Sequence, residues 1–246
     1  MAETGEGPPL VLLHGGGPGA SGVSNYARNI AALAKEYRVV VPDLPGYGPS
    51  SKGIDRADPF GEVADRIRGL LDRLGLDKAH FIGNSLGGAC ALRLPGHPRP
   101  GRPDDPHGPR RPRRHPRAAH PRTQQPARLL HGEGAFTAEA GEVHPQHQDS
   151  IDPEVVAAPP LKRPKSLKTL WKMDATRDAR LSRLPVPTLV LWGAADKVNK
   201  PSGGPMLADR MPNCDLYMVA DTGHWVQFER AELFNRLCAD FLAGRG

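Results

Sequence analysis

The sequence predicts an α/β domain built on a mostly parallel sheet with helices on both faces. Three observations predict it. Short apolar runs alternate with helix-length amphipathic segments, Gly83-Asn84-Ser85-Leu86-Gly87 follows one such run and precedes a helix-compatible stretch, and two later runs end close to an Asp and a His. Alternation of this kind makes successive strands parallel, with the crossover helices packed on either side. At 246 residues the chain suits one such unit carrying a small insert.

Taken in order, Leu10–Leu13 reads as a strand, Asn25–Tyr37 carries helical spacing, and Arg38–Val41 is a second strand ending at Pro42-Asp43. From Pro59 to Leu76, the apolar residues Val63, Ile67, Leu70, Leu71 and Leu74 fall on one helical face, and Gly75 stands where a terminator belongs. The strand Ala79–Ile82 leads into Ser85. Near the C-terminus the alternation resumes with a strand at Thr188–Trp192, a helix near Pro205–Met211 and a strand at Leu216–Val219. A last helix turns Leu233, Phe234, Leu237 and Phe241 inward.

From Pro95 to about Ser150 the alternation stops. Ten prolines fall between Pro95 and Pro126, and proline supplies no backbone donor to a central strand. An atypical or disordered Pro/Arg-rich segment, outside the core, is therefore expected in place of a sheet strand. The window also carries the charge: nine Arg against two Asp between Pro95 and Arg128 give +7, against +6 for the whole chain, so the remainder sums to −1. A polyanion-binding arm and a solvated linker both fit this composition. The reading adopted is a third, a shifted reading frame. Back-translated one base later, His97 to Pro109 can spell Ile-Pro-Asp-Arg-Val-Ala-Arg-Met-Ile-Leu-Met-Gly, and Thr137 to Gln148 can spell Gln-Lys-Leu-Glu-Lys-Phe-Ile-Arg-Ser-Ile, which are a helix-to-strand junction and an amphipathic helix.

The first nine residues are small, polar and acidic and no apolar run approaches the roughly 18 residues of a membrane span, so a cytoplasmic protein is expected. Cys90, Cys214 and Cys238 are an odd number without metal-ligand spacing and are expected to be buried free thiols.

Three segments carry candidate chemistry. A serine on a sharp strand-to-helix turn exposes its hydroxyl at the carboxyl edge of a sheet, which suits attack on a carbonyl, and the flanking glycines avoid collisions within the turn. Directly after the first strand, His14-Gly15-Gly16-Gly17-Pro18-Gly19 can turn backbone N–H groups towards a developing oxyanion, with a second donor at Leu86 N–H. A tight turn or a weak phosphate loop is the alternative there, although the Gly-Lys-Ser/Thr ending of a nucleotide loop is missing. The order Ser85, Asp196, His224 is the third, with Asp196 and His224 each just past a strand, so all three reach one sheet edge. A surface histidine and a helix cap are the plainer readings of His224 and Asp196. Asp43 precedes the serine and reads as a loop holder; Asp221 is too near His224 in sequence to face its ring; His14 and His80 read as structural.

With His14-Gly15-Gly16-Gly17-Pro18-Gly19-Ala20, Ser24-Asn25-Tyr26, Gly83-Asn84-Ser85-Leu86-Gly87-Gly88 and Gly223-His224-Trp225-Val226-Gln227 in view, the chain resembles the meta-cleavage product hydrolases over roughly residues 8–94 and 151–245. These are α/β-hydrolases of aromatic and steroid ring degradation that cut a carbon–carbon bond in 2-hydroxy-6-oxohexa-2,4-dienoates. The resemblance implies an α/β-hydrolase fold, no cofactor, Ser85 as nucleophile, His224 as acid/base with Asp196 as its partner, and oxyanion N–H groups from Gly16 and Leu86. It implies polar substrate contacts at Asn25, Asn84 and Trp225. The sequence departs from that family in two places. The family has an antiparallel strand pair ahead of the glycine loop, where only about nine residues precede Leu10 here. It also has a sheet strand with a helical lid bearing a carboxylate-binding arginine between nucleophile and acid, where the anomalous window stands in place of the strand and part of the lid and no arginine is assigned.

The expected organisation is 1–94 as the first part of the hydrolase core, 95–150 as the anomalous segment, 151–182 as a lid remnant and 183–246 as the second part of the core. The expected partner is a small dienoate, with no nucleic acid and no membrane; a homo-oligomer is compatible. An esterase or lactone hydrolase with the same triad and a non-catalytic polyanion-binding protein are the competing functions. Salt dependence separates the last of these, because phosphate binding weakens steeply with ionic strength.

Overall fold

A computed structural model of the chain describes residues 1–16, 19–51, 59–94, 128–131, 181–184 and 186–244. Expectations for Gly17, Pro18, most of the 95–150 window and most of the 151–182 lid remnant lie outside them. The described strands are β1 (Ala2–Thr4), β2 (Pro9–Leu13), β3 (Arg38–Val41), β4 (His80–Asn84), β5 (Arg128–His131), β6 (Thr188–Gly193) and β7 (Cys214–Val219). They form one sheet in the order β1-β3-β2-β4-β5-β6-β7. Every pairing is parallel except that of β1 with β3. The described helices are α1 (Gly22–Asn25), α2 (Ile30–Leu33), α3 (Pro59–Arg73), α4 (Leu86–Arg93), α5 (Gly203–Arg210), α6 (Val226–Glu229) and α7 (Ala231–Leu242). None of them is long and apolar enough to cross a membrane.

Successive residues of a strand face opposite sides, and the core divides accordingly. Val11, Leu13, Val40, Val190 and Trp192 pack with Val63, Ile67 and Leu71 of α3 and with α4. Leu10, Leu12, Val39, Val41, Ile82, Leu189 and Leu191 pack with Tyr26, Leu33 and, from α7, Phe234 and Cys238. Burying one such aliphatic side chain fully contributes about 1.5–3 kcal/mol. The doubly covered parallel sheet expected from the alternating pattern is the architecture found.

The end of α3 follows the glycine signal. Gly75 takes a left-handed φ of 67°, Gly75 N–H donates to the Asp72 carbonyl and Leu76 N–H donates back to Leu71, the hydrogen-bond pair of a Schellman turn.

Several expectations are corrected. The Asn25–Tyr37 segment is not one helix but α1 and α2, because Asn25 and Asn29 are buried and bond across to Gln227 and Asn235 instead of lying on a helix surface. In α7 the deepest line is Phe234, Cys238 and Leu242, with Leu233, Leu237 and Phe241 flanking it. Cys90 and Cys238 are buried free thiols, but Cys214 is half-buried, and burial with Asp215 beside it pushes its thiol up to about 11.

The largest correction concerns the sheet. The Pro/Arg-rich window was expected to stand in place of a strand, yet β5 comes from inside it and pairs in register with both neighbours, Leu129 with Ile82 of β4 and with Leu189 of β6. Arg128–His131 lies beyond Pro126, the last proline of the run, so all four residues keep their backbone donors. A short strand ahead of His14, β1, is also present and was not read from its three polar or small residues.

Candidate active site

Parallel strands share an orientation, so the loops after β4, β6 and β7 leave from the same edge of the sheet. Ser85 follows β4 directly and has φ 51° and ψ −114°. A side chain other than glycine in that region costs of order 1–3 kcal/mol and persists only where the surroundings over-determine it. Here they do. A Cβ on Gly83 would come within 2.6 Å of the Gly87 carbonyl, and one on Gly87 would collide with the Leu13 carbonyl oxygen, so β4, the turn and α4 are pressed onto the end of β2. The C-terminus of α4 is held too: Arg68 Nη2 donates to the carbonyls of Arg93 and Leu94, at 3.2 and 2.7 Å.

Asp196 and His224 meet. His224 Nδ1 lies 2.9 Å from Asp196 Oδ2, with both side chains almost fully buried. Asp196 Oδ1 accepts the N–H groups of Val198 and Asn199 at 2.8 and 3.0 Å. Three donors thus converge on one carboxylate and hold the imidazole with Nδ1 as its N–H. His224 Nε2 is buried and has no hydrogen-bond partner. That nitrogen is left as the acceptor, the state a general base requires.

The glycine loop crosses this edge. A Cβ on Gly15 would lie 2.5 Å from Asn84 Oδ1 and 3.4 Å from Ser85 Cβ; one on Gly16 would lie 3.4 Å from the Leu86 side chain. Gly15 therefore runs against Asn84 and Ser85, and Gly16 against the Leu86 side chain and the Tyr47 hydroxyl. His14 roots the loop: its Nδ1–H donates to Gly15 O at 2.7 Å and its Nε2 accepts Leu44 N–H at 2.9 Å. Burial pushes the His14 imidazole below its ordinary value, opposed by the Gly15 carbonyl and the Asp43 carboxylate. Asp43 accepts Gly22 N–H at 2.8 Å, the loop-holding place expected of it. Asp221 has a left-handed φ of 48° and supplies a backbone carbonyl to Arg230, rather than an acid.

Of the expected substrate contacts, Asn84 is fully buried with both amide atoms unpartnered. Asn25 is buried and its Oδ1 accepts Gln227 Nε2 at 3.2 Å. Trp225 is half-buried, its ring centroid 5.6 Å from that of Phe228. A native interior leaves few buried polar atoms unpaired, yet Asn84 Nδ2 and Oδ1, His224 Nε2 and Gln227 Oε1 are unpaired in these segments. Sequence reading missed Gln227, Asn29, Arg68 and Glu229. Glu229 accepts the N–H groups of Gly223 and Trp225; its only signal was an acid in the first turn of the helix after His224.

The sequence model of the alpha/beta hydrolase family matches residues 10–237. The chain belongs to that family. Among its relatives, this α/β-hydrolase is 33% identical over 263 residues to a 2-hydroxy-6-oxo-6-phenylhexa-2,4-dienoate hydrolase of Burkholderia cepacia, covering 99% of this chain and 90% of the relative. It is 34% identical over 251 residues to 2-hydroxy-6-oxononadienedioate/2-hydroxy-6-oxononatrienedioate hydrolase 1 of Dechloromonas aromatica (strain RCB), covering 95% and 86%. The α/β-hydrolase also shares its fold with a meta-cleavage product hydrolase from Pseudomonas fluorescens IP01, at a TM-score of 0.77 and 24% identity, covering 100% of this chain and 94% of the other. The resemblance read from the motifs is borne out by these relatives.

Proposed function

We propose that this α/β-hydrolase cleaves the C5–C6 bond of a 2-hydroxy-6-oxohexa-2,4-dienoate with Ser85, His224 and Asp196. The observation that carries the chemistry is the buried Asp196–His224 contact of 2.9 Å, with Nε2 left unpartnered, at the edge that bears Ser85. The names of the relatives direct it to dienoates.

In this reading the dienol is first converted to its keto form by proton transfer. His224 Nε2 then takes the Ser85 proton as Oγ adds to the C6 carbonyl, and the oxyanion is met by the N–H groups of Gly16 and Leu86. Collapse breaks C5–C6, the electron pair passes through the conjugated chain to the C2 oxygen, and that dienolate oxygen recovers the proton from His224. Water releases the acyl group, so substrate and one water give a 2-hydroxypenta-2,4-dienoate and a carboxylic acid. Asn25, Asn84 and Trp225 are the proposed contacts of the dienoate head. No cofactor enters this sequence of steps. A cytoplasmic location belongs to the same proposal, supported by three free thiols.

The test is the bleaching of the visible absorbance of 2-hydroxy-6-oxo-6-phenylhexa-2,4-dienoate, run beside Ser85→Ala. Bleaching that Ser85→Ala slows by at least about 10³-fold is expected. Equal rates in the two proteins would overturn the nucleophile. No bleaching by folded parent, combined with Ser85-dependent hydrolysis of an ester or lactone, would replace the dienoate with those substrates.

A further inference from the structure

The loop that carries His224 is gripped by one carboxylate. Glu229 Oε2 accepts Gly223 N–H at 2.7 Å and Glu229 Oε1 accepts Trp225 N–H at 2.9 Å, so the two amides on either side of His224 end on the same side chain. Glu229 N–H also donates to the Trp225 carbonyl at 2.7 Å, so this residue holds Trp225 by both backbone and side chain. From the other side, Ala195 N–H donates to the Thr222 carbonyl at 2.9 Å, which ties the loop to the segment that presents Asp196.

We propose that Glu229 is a positioning residue for the base, fixing the Thr222–Gly223 and His224–Trp225 peptide planes that bracket the Gly223-His224 unit and so the direction in which its Nε2 points. The inference rests on the reading of His224 as the base. Gly223, next to that histidine, has the widest backbone freedom of any residue type, and a loop with a glycine there needs an outside restraint to hold one orientation. A carboxylate accepting two N–H groups is a stronger restraint than neutral acceptors. The contact to Asp196 fixes the imidazole at Nδ1 only; rotation about that contact is restrained by the backbone, and Glu229 holds the backbone.

The experiment uses a fluorophosphonate, which reports on the serine and base without any dienoate. Ser85 Oγ forms a bond to phosphorus, the P–F bond breaks, fluoride leaves and the serine proton passes to His224. The rate of phosphonylation is measured for the parent, Ser85→Ala, Glu229→Ala and Glu229→Gln, with each rate normalised to the folded fraction from a thermal melt. Glu229→Ala is expected to be slower by about tenfold or more, the scale of a small misplacement of a catalytic group. Glu229→Gln, which keeps one acceptor oxygen in the same shape, is expected to recover part of that loss. A Glu229→Ala rate equal to the parent's, or a loss that vanishes after normalisation, overturns the proposal. If the parent is labelled no faster than Ser85→Ala, the triad itself fails and the role of Glu229 falls with it. If the parent is labelled but bleaches no dienoate, only the substrate class is wrong, and the Glu229 comparison stands.

Discussion

Gly193, the last residue of β6, lies so close to Gly223 that a Cβ on it would overlap the Gly223 carbonyl oxygen. The contact is backbone against backbone, and it locks the segment that leads to Asp196 onto the segment that leads to His224. Neither side has a flexible side chain that could yield. Gly193→Ala is therefore expected to destabilise the fold by about 1–3 kcal/mol, the usual range for overpacking, and to lower turnover beyond the loss of folded protein. Urea unfolding together with phosphonylation per folded molecule would measure both effects; an unchanged midpoint and rate would mean that the two loops are independent.

Asp196→Asn should leave the fold nearly intact while crippling the site. The two backbone donors from Val198 and Asn199 can still reach an amide oxygen, but the amide nitrogen then faces His224 Nδ1. The imidazole would be driven to the tautomer with its proton on Nε2, where the lone pair is needed. A fall in kcat of about 10⁴-fold, with KM little changed, is expected by analogy with triads in which the acid has been amidated; steady-state kinetics and circular dichroism would measure it.

His14 makes stability depend on pH. Its imidazole is pushed below its ordinary value near 6.5 by burial, and Nε2 accepts the Leu44 N–H only while unprotonated. Above about 6.5 neither the folded nor the unfolded histidine is protonated, and the contribution is fully present. Below it the unfolded chain takes up the proton first, so stability falls with pH towards the depressed folded value. The urea midpoint is expected to fall between pH 7.5 and pH 5.5 in the parent and to fall less in His14→Gln; parallel curves would remove His14 from the account.

Arg68→Met keeps much of the volume and removes the charge that caps α4. Arg68 is 6% exposed, and its guanidinium bonds to the carbonyls of Arg93 and Leu94 at the end of that helix. Losing charged donors from buried acceptors is expected to cost about 2–3 kcal/mol, while the phosphonylation rate per folded molecule stays near that of the parent, since the cap is at the far end from Ser85. Chemical denaturation checks the first expectation and probe labelling the second.

The parts of this protein that could be read in its sequence are those written locally. Ser85, Asp196 and His224 each stand a few residues past an apolar run, and Gly75 stops α3 by its own backbone freedom, so short strings of residues carry the information. What was missed depends on distant segments. The break between α1 and α2 is made by Asn25 and Asn29 turning to Gln227 and Asn235, about two hundred residues away in the chain. Glu229 looks like an ordinary helix acid until the loop before it folds back. β5 was hidden because a run of prolines suggests that everything near it is irregular, whereas four residues beyond the last of them are enough to complete the hydrogen bonding of two neighbours.

That narrow strand has a geometric consequence. The proposed nucleophile leaves the sheet from β4, whereas the acid and base leave from β6 and β7, and β5 lies between the two groups. Adjacent strands are about 4.8 Å apart, so Arg128–His131 inserts one strand width between serine and aspartate, a gap that the reach of an imidazole can bridge. β5 is thus a spacer that sets the gauge of the proposed catalytic centre. A chain that let β4 pair directly with β6 could keep every catalytic residue and still be mis-assembled by one strand width.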